Sequence, residues 1–291
     1  MINPVTVGKY SRSSVFPSSV VVRGRYAYLV STEIGLEVVD ISDPANPALV
    51  SVCDVPSAQK IKVLGDYVYI TNCFSSLIVI DISDPFNPVS AGRFLNWGED
   101  SNLFVSEQYA YITDELQGLI VVKIDNPFKP TAEKWLEIDG TPVSIDVVDN
   151  YAYIAAGESG LKIIKVKNEH NITEVGSLQT NSWVYDVKVV GNYTYLASYT
   201  EGLEVIEVTN SKSPVKIGSC IMPGYFRSLQ VQDNYVYLLC ERTGLKIIDI
   251  SNPAKPFLFS SKGVERGQSL FVEGNYAYVC GKSLEIISLV D

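Results

Sequence analysis

The chain has 291 residues, of which 46% are apolar and 19% are charged. This composition is typical of a folded globular protein, because disordered chains have too few apolar residues to form a core. Aspartate and glutamate outnumber lysine and arginine by 33 to 23, which gives a formal net charge of −10. An acidic surface repels phosphate groups, so we expect neither nucleic acid nor an anionic membrane surface as a partner.

Several kinds of site and segment are disfavoured by simple counts. No stretch approaches the roughly 20 apolar residues of a membrane helix, and Pro4 lies where a secretory signal would have its apolar run. Five cysteines without a Cys-x-x-Cys pair and a single histidine do not match a disulfide framework, a zinc site or catalysis by two imidazoles. We therefore predict no membrane insertion, no metal, no cofactor and no catalytic residue.

An internal repeat dominates the sequence. The tripeptide Tyr-x-Tyr occurs seven times at spacings of 41 or 42 residues, beginning at Tyr26, Tyr67, Tyr109, Tyr151, Tyr193, Tyr235 and Tyr276. Fourteen of the 18 tyrosines lie in these pairs. A period of this length indicates an array of similar structural units, and tyrosine is mainly a structural residue here.

The chain opens, at residues 3–10, with an Asn-Pro dipeptide and an alternating apolar run. Segment 87–94 has the same pattern at the end of the second unit. Within each unit, short apolar or alternating runs are separated by turn residues, which predicts four strands. In the sixth unit we place these strands at 228–232, 235–240, 245–250 and 257–261. The proline-rich segment 251–256 ends the third strand, because proline has no N–H to donate.

The last unit ends at Asp291 before its fourth strand, and residues 3–10 supply a strand of the missing type. This arrangement favours a closed ring over an open stack, because closure covers the two end sheets and joins the termini. We predict an all-β, seven-bladed β-propeller with four-stranded antiparallel blades. Residues 1–291 would form a single domain, with repeats from residue 12 to residue 291 and residues 3–10 as the outer strand of the last blade.

The third strands carry a family resemblance. Residues 36–40, 77–81 and 245–249 read Leu-Glu-Val-Val-Asp, Leu-Ile-Val-Ile-Asp and Leu-Lys-Ile-Ile-Asp, each followed by Ile-Ser-Asp-Pro or Ile-Ser-Asn-Pro. They resemble the LVIVD repeat of bacterial and archaeal propeller proteins. The final aspartate is replaced by Lys123, Lys165 and Glu207 in units three to five. The resemblance implies a scaffold, found often in surface or secreted proteins, without a common catalytic motif.

Candidate ligand positions lie where the first strand of each blade begins, beside the loop that joins two units. Six residues before each Tyr-x-Tyr the residue is always aliphatic. Ten and eight residues before it, the residues differ from unit to unit: Phe16 and Ser18, Ser57 and Gln59, Glu99 and Ser101, Thr141 and Val143, Trp183 and Tyr185, Tyr225 and Arg227, and Arg266 and Gln268.

Aromatic and arginine side chains concentrate in units five to seven, opposite acidic residues of unit three. Such a set suits a protein, peptide or glycan ligand, because aromatic planes stack on sugars and apolar side chains. The same aromatics could instead plug the funnel and pack between blades. The candidate ligand-binding residues are Trp97, Glu99, Asp100, Trp183, Tyr185, Tyr199, Tyr225, Arg227 and Arg266.

Two further interpretations concern the acidic residues of this face. The loops after the second strands carry Glu33, Asp114, Glu115, Glu158, Glu201 and Glu241, but lack the close spacing of a calcium loop, so we expect a solvated rim.

A carboxylate-dependent enzyme acting on glycosides or polysaccharides is the alternative function. It would use Glu99 or Asp100 with Glu201 and Arg227. The sequence favours a non-catalytic binding scaffold and leaves the oligomeric state and the compartment undetermined.

Overall fold

A computed structural model of the chain describes residues 3–13, 15–73, 76–95, 100–166, 172–222 and 224–290. In this part of the chain, 28 strands form seven sheets of four strands each. None of the described residues belongs to a helix that could cross a membrane.

The strands follow one another in seven groups. The first is β1 (Val5–Tyr10), followed by blade one, with β2 (Ser19–Arg23), β3 (Tyr26–Ser31), β4 (Gly35–Asp40) and β5 (Ala48–Asp54). Blade two has β6 (Ala58–Leu64), β7 (Tyr67–Asn72), β8 (Ser76–Asp81) and β9 (Val89–Leu95). Blade three has β10 (Asp100–Val105), β11 (Tyr109–Asp114), β12 (Gly118–Lys123) and β13 (Thr131–Leu136).

The remaining blades repeat this plan. Blade four has β14 (Ser144–Val148), β15 (Tyr151–Ala155), β16 (Leu161–Lys165) and β17 (Thr173–Leu178). Blade five has β18 (Val184–Val190), β19 (Tyr193–Ser198), β20 (Gly202–Glu207) and β21 (Val215–Cys220). Blade six has β22 (Phe226–Gln232), β23 (Tyr235–Cys240), β24 (Gly244–Asp249) and β25 (Phe257–Lys262). Blade seven has β26 (Ser269–Glu273), β27 (Tyr276–Cys280) and β28 (Leu284–Ser288).

Each blade is an antiparallel meander, and the last blade is completed by the first strand of the chain. In blade seven the strand order is β26, β27, β28, β1, and Tyr10 of β1 lies opposite Leu284 of β28. The innermost strands contact one another around the ring, and β26 contacts β2. The predicted seven-bladed propeller, closed by the N-terminal strand, is therefore confirmed.

The Tyr-x-Tyr repeat supplies a packing layer between blades. In all seven units the first tyrosine is half-buried and the second is buried. Burial raises the pKa of each second tyrosine, reaching about 12 for Tyr278. The leucine that opens each third strand is fully buried in every blade. These repeated apolar contacts stabilise the sheets against one another.

The turns between strands three and four are held by short local hydrogen bonds. The carboxylate of Asp40 accepts a hydrogen bond from the backbone N–H of Ser42 at 2.8 Å, and that of Asp43 accepts one from Ala45 at 3.0 Å. Asp81 and Asp249 make the same contact with the serine two residues later. Where aspartate is replaced in blade three, Lys123 instead pairs with Asp125 at 3.3 Å.

These turns also join neighbouring blades. A Cβ added to Gly8 in β1 would lie 1.9 Å from the carbonyl oxygen of Pro44 in blade one. A Cβ added to Gly92 would likewise lie 2.1 Å from the carbonyl oxygen of Pro127 in the next blade. A side chain cannot fit at such distances, so glycine lets the two backbones pack directly. The contact of Gly8 with Pro44 is part of the closure of the ring.

Candidate functional site

A funnel opens at the end of the propeller where the first strands begin. It is a cavity of about 760 Å³, and six residues of its wall lie eight positions before a Tyr-x-Tyr. These residues come from blades one, two, four, five, six and seven: Ser18, Gln59, Val143, Tyr185, Arg227 and Gln268. The first strands thus place the variable positions of the sequence side by side around one opening.

Four aromatic side chains form a continuous platform on one side of the funnel. The ring centroids of Trp183 and Tyr185 are 6.3 Å apart, and those of Tyr185 and Tyr225 are 6.4 Å apart. Tyr225 in turn lies 4.4 Å from Tyr199. The rings are tilted against one another, as aromatic clusters prefer. This aromatic platform spans blades five and six.

The position of Trp183 depends on a glycine in the preceding blade. Gly157 has a positive φ of 56°, and a Cβ added there would lie 2.8 Å from the indole ring. The backbone N–H of Val184 donates to the carbonyl of Gly157 at 3.0 Å. The indole Nε1 is buried and has no hydrogen-bond partner among the described residues. The indole is therefore held by packing.

Arg227 stands beside the platform and is fixed by a carboxylate. Its Nε and an Nη donate to one oxygen of Glu241 at 3.0 and 2.8 Å. The guanidinium carbon lies 5.9 Å from the ring centroid of Tyr185, close enough for a cation–π contact. Burial raises the pKa of Tyr185, and the nearby positive charge opposes this rise. The side chain of Arg227 is exposed, so its free donors face the solvent of the funnel.

A second depression continues the platform outward. It has a volume of about 310 Å³, and its wall includes Tyr199, Tyr225, Cys240 and Arg242. A hydrogen bond with Tyr225 raises the pKa of Tyr199. These two tyrosines therefore connect the aromatic platform to this depression.

Not every candidate residue joins this group. Arg266 is exposed, has a positive φ of 53°, and lines neither cavity. Trp97, Glu99 and the side chain of Asp100 lie outside the described residues. The structure thus brings together Trp183, Tyr185, Tyr199, Tyr225 and Arg227, whereas Arg266 lies in a turn outside the walls of the funnel and the second depression.

Three of the six acidic residues of this face are engaged by neighbouring groups. Glu201 pairs with Lys216 at 3.3 Å, and Glu241 pairs with Arg227. The buried carboxylate of Asp114 accepts hydrogen bonds from Leu116 and Gln117 in its own turn. Over the described ranges, no three aspartate, glutamate, histidine or cysteine side chains lie close enough to hold a metal ion.

Below the funnel, a ring of polar residues lines a narrow channel that the sequence interpretation missed. It consists of the residues seven positions before each Tyr-x-Tyr, and all seven are polar: Ser19, Lys60, Asn102, Ser144, Asp186, Ser228 and Ser269. In every unit a polar residue at this position is followed by an aliphatic one. This repeated polar position is the sequence signal that could have revealed the ring.

Hydrogen bonds connect part of the polar ring from blade to blade. Asn102 donates to Ser144 at 3.0 Å, and Ser144 donates to Asp186 at 2.5 Å. The carboxylate of Asp186 also accepts hydrogen bonds from the backbone N–H groups of Val187 and Leu229, at 2.9 and 2.6 Å. Burial raises the pKa of Asp186, whereas these hydrogen bonds oppose the rise.

Two residues further along β18 than Asp186, Lys188 of blade five pairs with a carboxylate of blade four. Its ammonium group lies 2.8 Å from Asp146, whose other oxygen accepts a hydrogen bond from the backbone of Val189 at 2.9 Å. Lys62 of blade two also lines this part of the channel. This part of the channel therefore contains one lysine in an ion pair, Lys188, and one lysine without an ion pair among the described residues, Lys62.

Comparison with known proteins agrees with this architecture. The chain is similar over nearly its whole length to the crystal structure of the computationally designed Ika8 protein, with a TM-score of 0.74. The alignment covers 98% of this chain and 99% of the designed chain at 10% identity, which shows the fold alone. No curated protein sequence matches.

The repeat itself is matched by a known family. The sequence profile of the LVIVD repeat matches residues 17–55, 57–96, 98–134, 139–180, 183–221, 223–262 and 266–288. These segments cover most of the chain and coincide with the seven blades. The chain therefore belongs to the LVIVD repeat family.

Proposed function

We propose that this protein is a non-catalytic binding scaffold, which presents its funnel and the surrounding loops to a protein, peptide or glycan. The observation that carries the proposal is the aromatic platform of Trp183, Tyr185, Tyr225 and Tyr199 beside the funnel. The volume of the funnel, about 760 Å³, falls in the range of ordinary ligand pockets, roughly 300–1,000 Å³.

The chemistry of the wall supports recognition. Half-buried aromatic rings offer flat apolar faces to a sugar ring or an apolar side chain. Arg227 and the amide side chains of Gln59 and Gln268 add hydrogen-bond donors around the same opening. A ligand that combines a flat apolar group with polar substituents fits this wall.

The charge pairs of the face favour binding over acid–base catalysis. Arg227 and Glu241 form a two-donor ion pair, and Glu201 is paired with Lys216. In both pairs a carboxylate oxygen is already engaged by a cationic donor, which limits its access to a proton on a ligand. These pairs give Arg227 and Glu241 the role of a polar rim around the platform.

Glycan and peptide arrays probed with the purified protein test this proposal. We expect at least one ligand class to bind the wild type, and the Trp183→Ala and Arg227→Ala variants to lose about tenfold or more in affinity. Trp135→Ala is the matched control, since this tryptophan is 69% exposed on an outer strand.

Two outcomes would contradict the proposal. Array ligands that bind the Trp183→Ala and Arg227→Ala variants as tightly as the wild type would place recognition elsewhere. Hydrolysis of array glycosides in a parallel activity screen would favour an enzyme over a scaffold.

A further inference from the structure

Two lysines of blade two face the narrow channel beneath the funnel. Lys60 lines both the funnel and the channel, and Lys62 lines the channel below it. The channel has a volume of about 50 Å³. Since one water occupies about 10–15 Å³ on this measure, a group of three or four heavy atoms fits there.

These lysines differ from the other cations of the site in having no partner. Lys188 pairs with Asp146, and Arg227 pairs with Glu241. Throughout the described part of the chain, neither Lys60 nor Lys62 has a hydrogen bond or ion pair from its ammonium group. Two unpaired ammonium groups therefore point into a confined space.

The one carboxylate among the described residues of the channel wall, Asp186, offsets only one of these two charges. Asp186 of blade five lies across the ring from blade two, and its oxygens already accept hydrogen bonds from Ser144, Val187 and Leu229. Counting Lys60, Lys62 and Asp186, this part of the channel carries a formal charge of about +1, in a protein whose net charge is −10. The excess positive charge matches a monoanion.

Burial destabilises the charged forms of Lys60 and Lys62. Burial lowers the pKa of Lys60, and burial together with the nearby charge of Lys188 lowers the pKa of Lys62 to about 8. An ammonium group that is partly removed from water gains from a bound anion, because the low local dielectric strengthens their attraction.

We propose that the channel beneath the funnel is a carboxylate site, in which Lys60 and Lys62 bind the carboxylate group of a ligand that rests on the aromatic platform. A carboxylate is a monoanion with three heavy atoms, so it matches both the charge and the size of the channel. Binding of the carboxylate by Lys60 and Lys62 does not depend on the rest of the ligand. The placement of the ligand's apolar part on the aromatic platform rests on the proposed function. The carboxylate belongs either to a free small acid or to a peptide.

Titration with sodium acetate, sodium benzoate and benzamide tests the site. Binding is measured by NMR line broadening and shifts of the probe and by calorimetry. We expect acetate to bind, benzoate to bind more tightly, and benzamide to bind about tenfold or more weakly than benzoate, because it lacks the charge. A peptide with a free C-terminal carboxylate and its amidated form distinguish a peptide source from a small acid.

Variants locate the binding. Lys60→Met and Lys62→Met keep an unbranched side chain one heavy atom shorter and remove its charge, and each is expected to weaken acetate binding about tenfold. Lys255→Met is the matched control, since this lysine is exposed in the turn between β24 and β25. Circular dichroism and thermal unfolding confirm that each variant is folded. Trp183→Ala should weaken benzoate but leave acetate unchanged.

The pH dependence gives a second readout. The charged groups that face Lys62 are Lys60 on its own strand, Asp146 on β14, and Asp186 and Lys188 on β18. Acetate stays ionised above neutral pH while Lys62 loses its proton near pH 8. Acetate affinity should therefore fall severalfold between pH 7 and pH 9.5 in the wild type, and much less in Lys62→Met.

The possible failures can be told apart. Absence of acetate binding by the folded wild type, or equal acetate affinity in both lysine variants and the wild type, overturns the carboxylate site. If array ligands still depend on Trp183, the proposed function survives that result. Acetate binding that depends on the lysines, together with array ligands indifferent to Trp183→Ala, supports the carboxylate site and overturns the platform.

Discussion

The two ends of the propeller are built in opposite ways. At one end, the turns between strands three and four repeat the same contacts, such as the aspartate hydrogen bonds of Asp40 and Asp81. At the other end, the residues around the funnel differ from blade to blade, from Ser18 and Gln59 to Tyr185 and Arg227. Repeated residues thus maintain the ring, whereas residues that vary on a repeated backbone form the surface proposed for recognition.

The largest expected effect comes from the repeated end. Gly8→Ala would place a Cβ 1.9 Å from the carbonyl oxygen of Pro44, so the last blade must move away from blade one. We expect the free energy of unfolding to fall by about 1–3 kcal/mol, as for other overpacked sites. Urea unfolding followed by circular dichroism measures this loss.

The control for this substitution is Gly263→Ala. An added Cβ meets no atom within 4 Å at Gly263, so its stability should stay within about 0.5 kcal/mol of the wild type. Equal stability of Gly8→Ala and the wild type would mean that the first strand does not pack against blade one.

A smaller effect is expected from the turn aspartates at acidic pH. Hydrogen bonds from Arg25 and then Ser42 lower the pKa of Asp40 from 3.8 to about 2. Because the folded-state pKa is lower than the unfolded one, the ionised carboxylate stabilises the fold above about pH 4. This stabilisation is lost as the pH falls towards 2. Asp40→Asn should therefore show a shallower loss of stability between pH 4 and pH 2.

Unfolding midpoints in urea at pH 7, 4, 3 and 2 measure this difference. Asp54→Asn is the control, since Asp54 is exposed and has no hydrogen bond or ion pair from its side chain in the described ranges. A parallel loss of stability in Asp40→Asn and the wild type would show that this turn contact does not contribute.

The smallest effect on stability is expected at the funnel. Arg227 is 41% exposed and its ion pair with Glu241 is partly solvated, so Arg227→Ala should change the free energy of unfolding by less than about 1 kcal/mol. The same urea experiment measures it. A loss as large as that of Gly8→Ala would mean that Arg227 packs the funnel closed, which is the alternative role of this group.

Most of the fold could be predicted from the sequence because each blade repeats the same local rules. Tyr-x-Tyr marks the second strand, and the proline-rich turn marks the gap between strands three and four. The pairing of residues 3–10 with the last blade followed from the same pattern. A ring of equivalent units leaves few alternatives once its strands are known.

The candidate site was predictable only in part. The eight-residue offset identifies two residues of the funnel wall, Tyr185 and Arg227, and each lies at a β-bulge near the start of its first strand. The first strand of blade seven begins later, at Ser269, so Arg266 lies in a turn with a positive φ. Strand periodicity does not determine the direction of a side chain in such a turn.

The lysines of the channel were missed for a different reason. The offset of Lys60 carries a polar residue in every unit, whereas the offset of Lys62 carries valine in unit one and phenylalanine in units three and seven. Lys188 has a partner because Asp146 stands at the same offset in the neighbouring blade, whereas the blades beside Lys62 carry Val21 and Phe104 there. This information is contained in the ring and not in any single repeat.

Chemical blocking of the funnel at Cys73 tests whether ligands are recognised there. Cys73 is exposed in the funnel wall, where Gln59 donates a hydrogen bond to its sulfur at 2.9 Å, whereas Cys240 and Cys280 are buried. After reaction with a bulky maleimide, the wild type should lose its array ligands, and an identically treated Cys73→Ser variant should keep them. Undiminished binding by the blocked wild type would contradict recognition through the funnel.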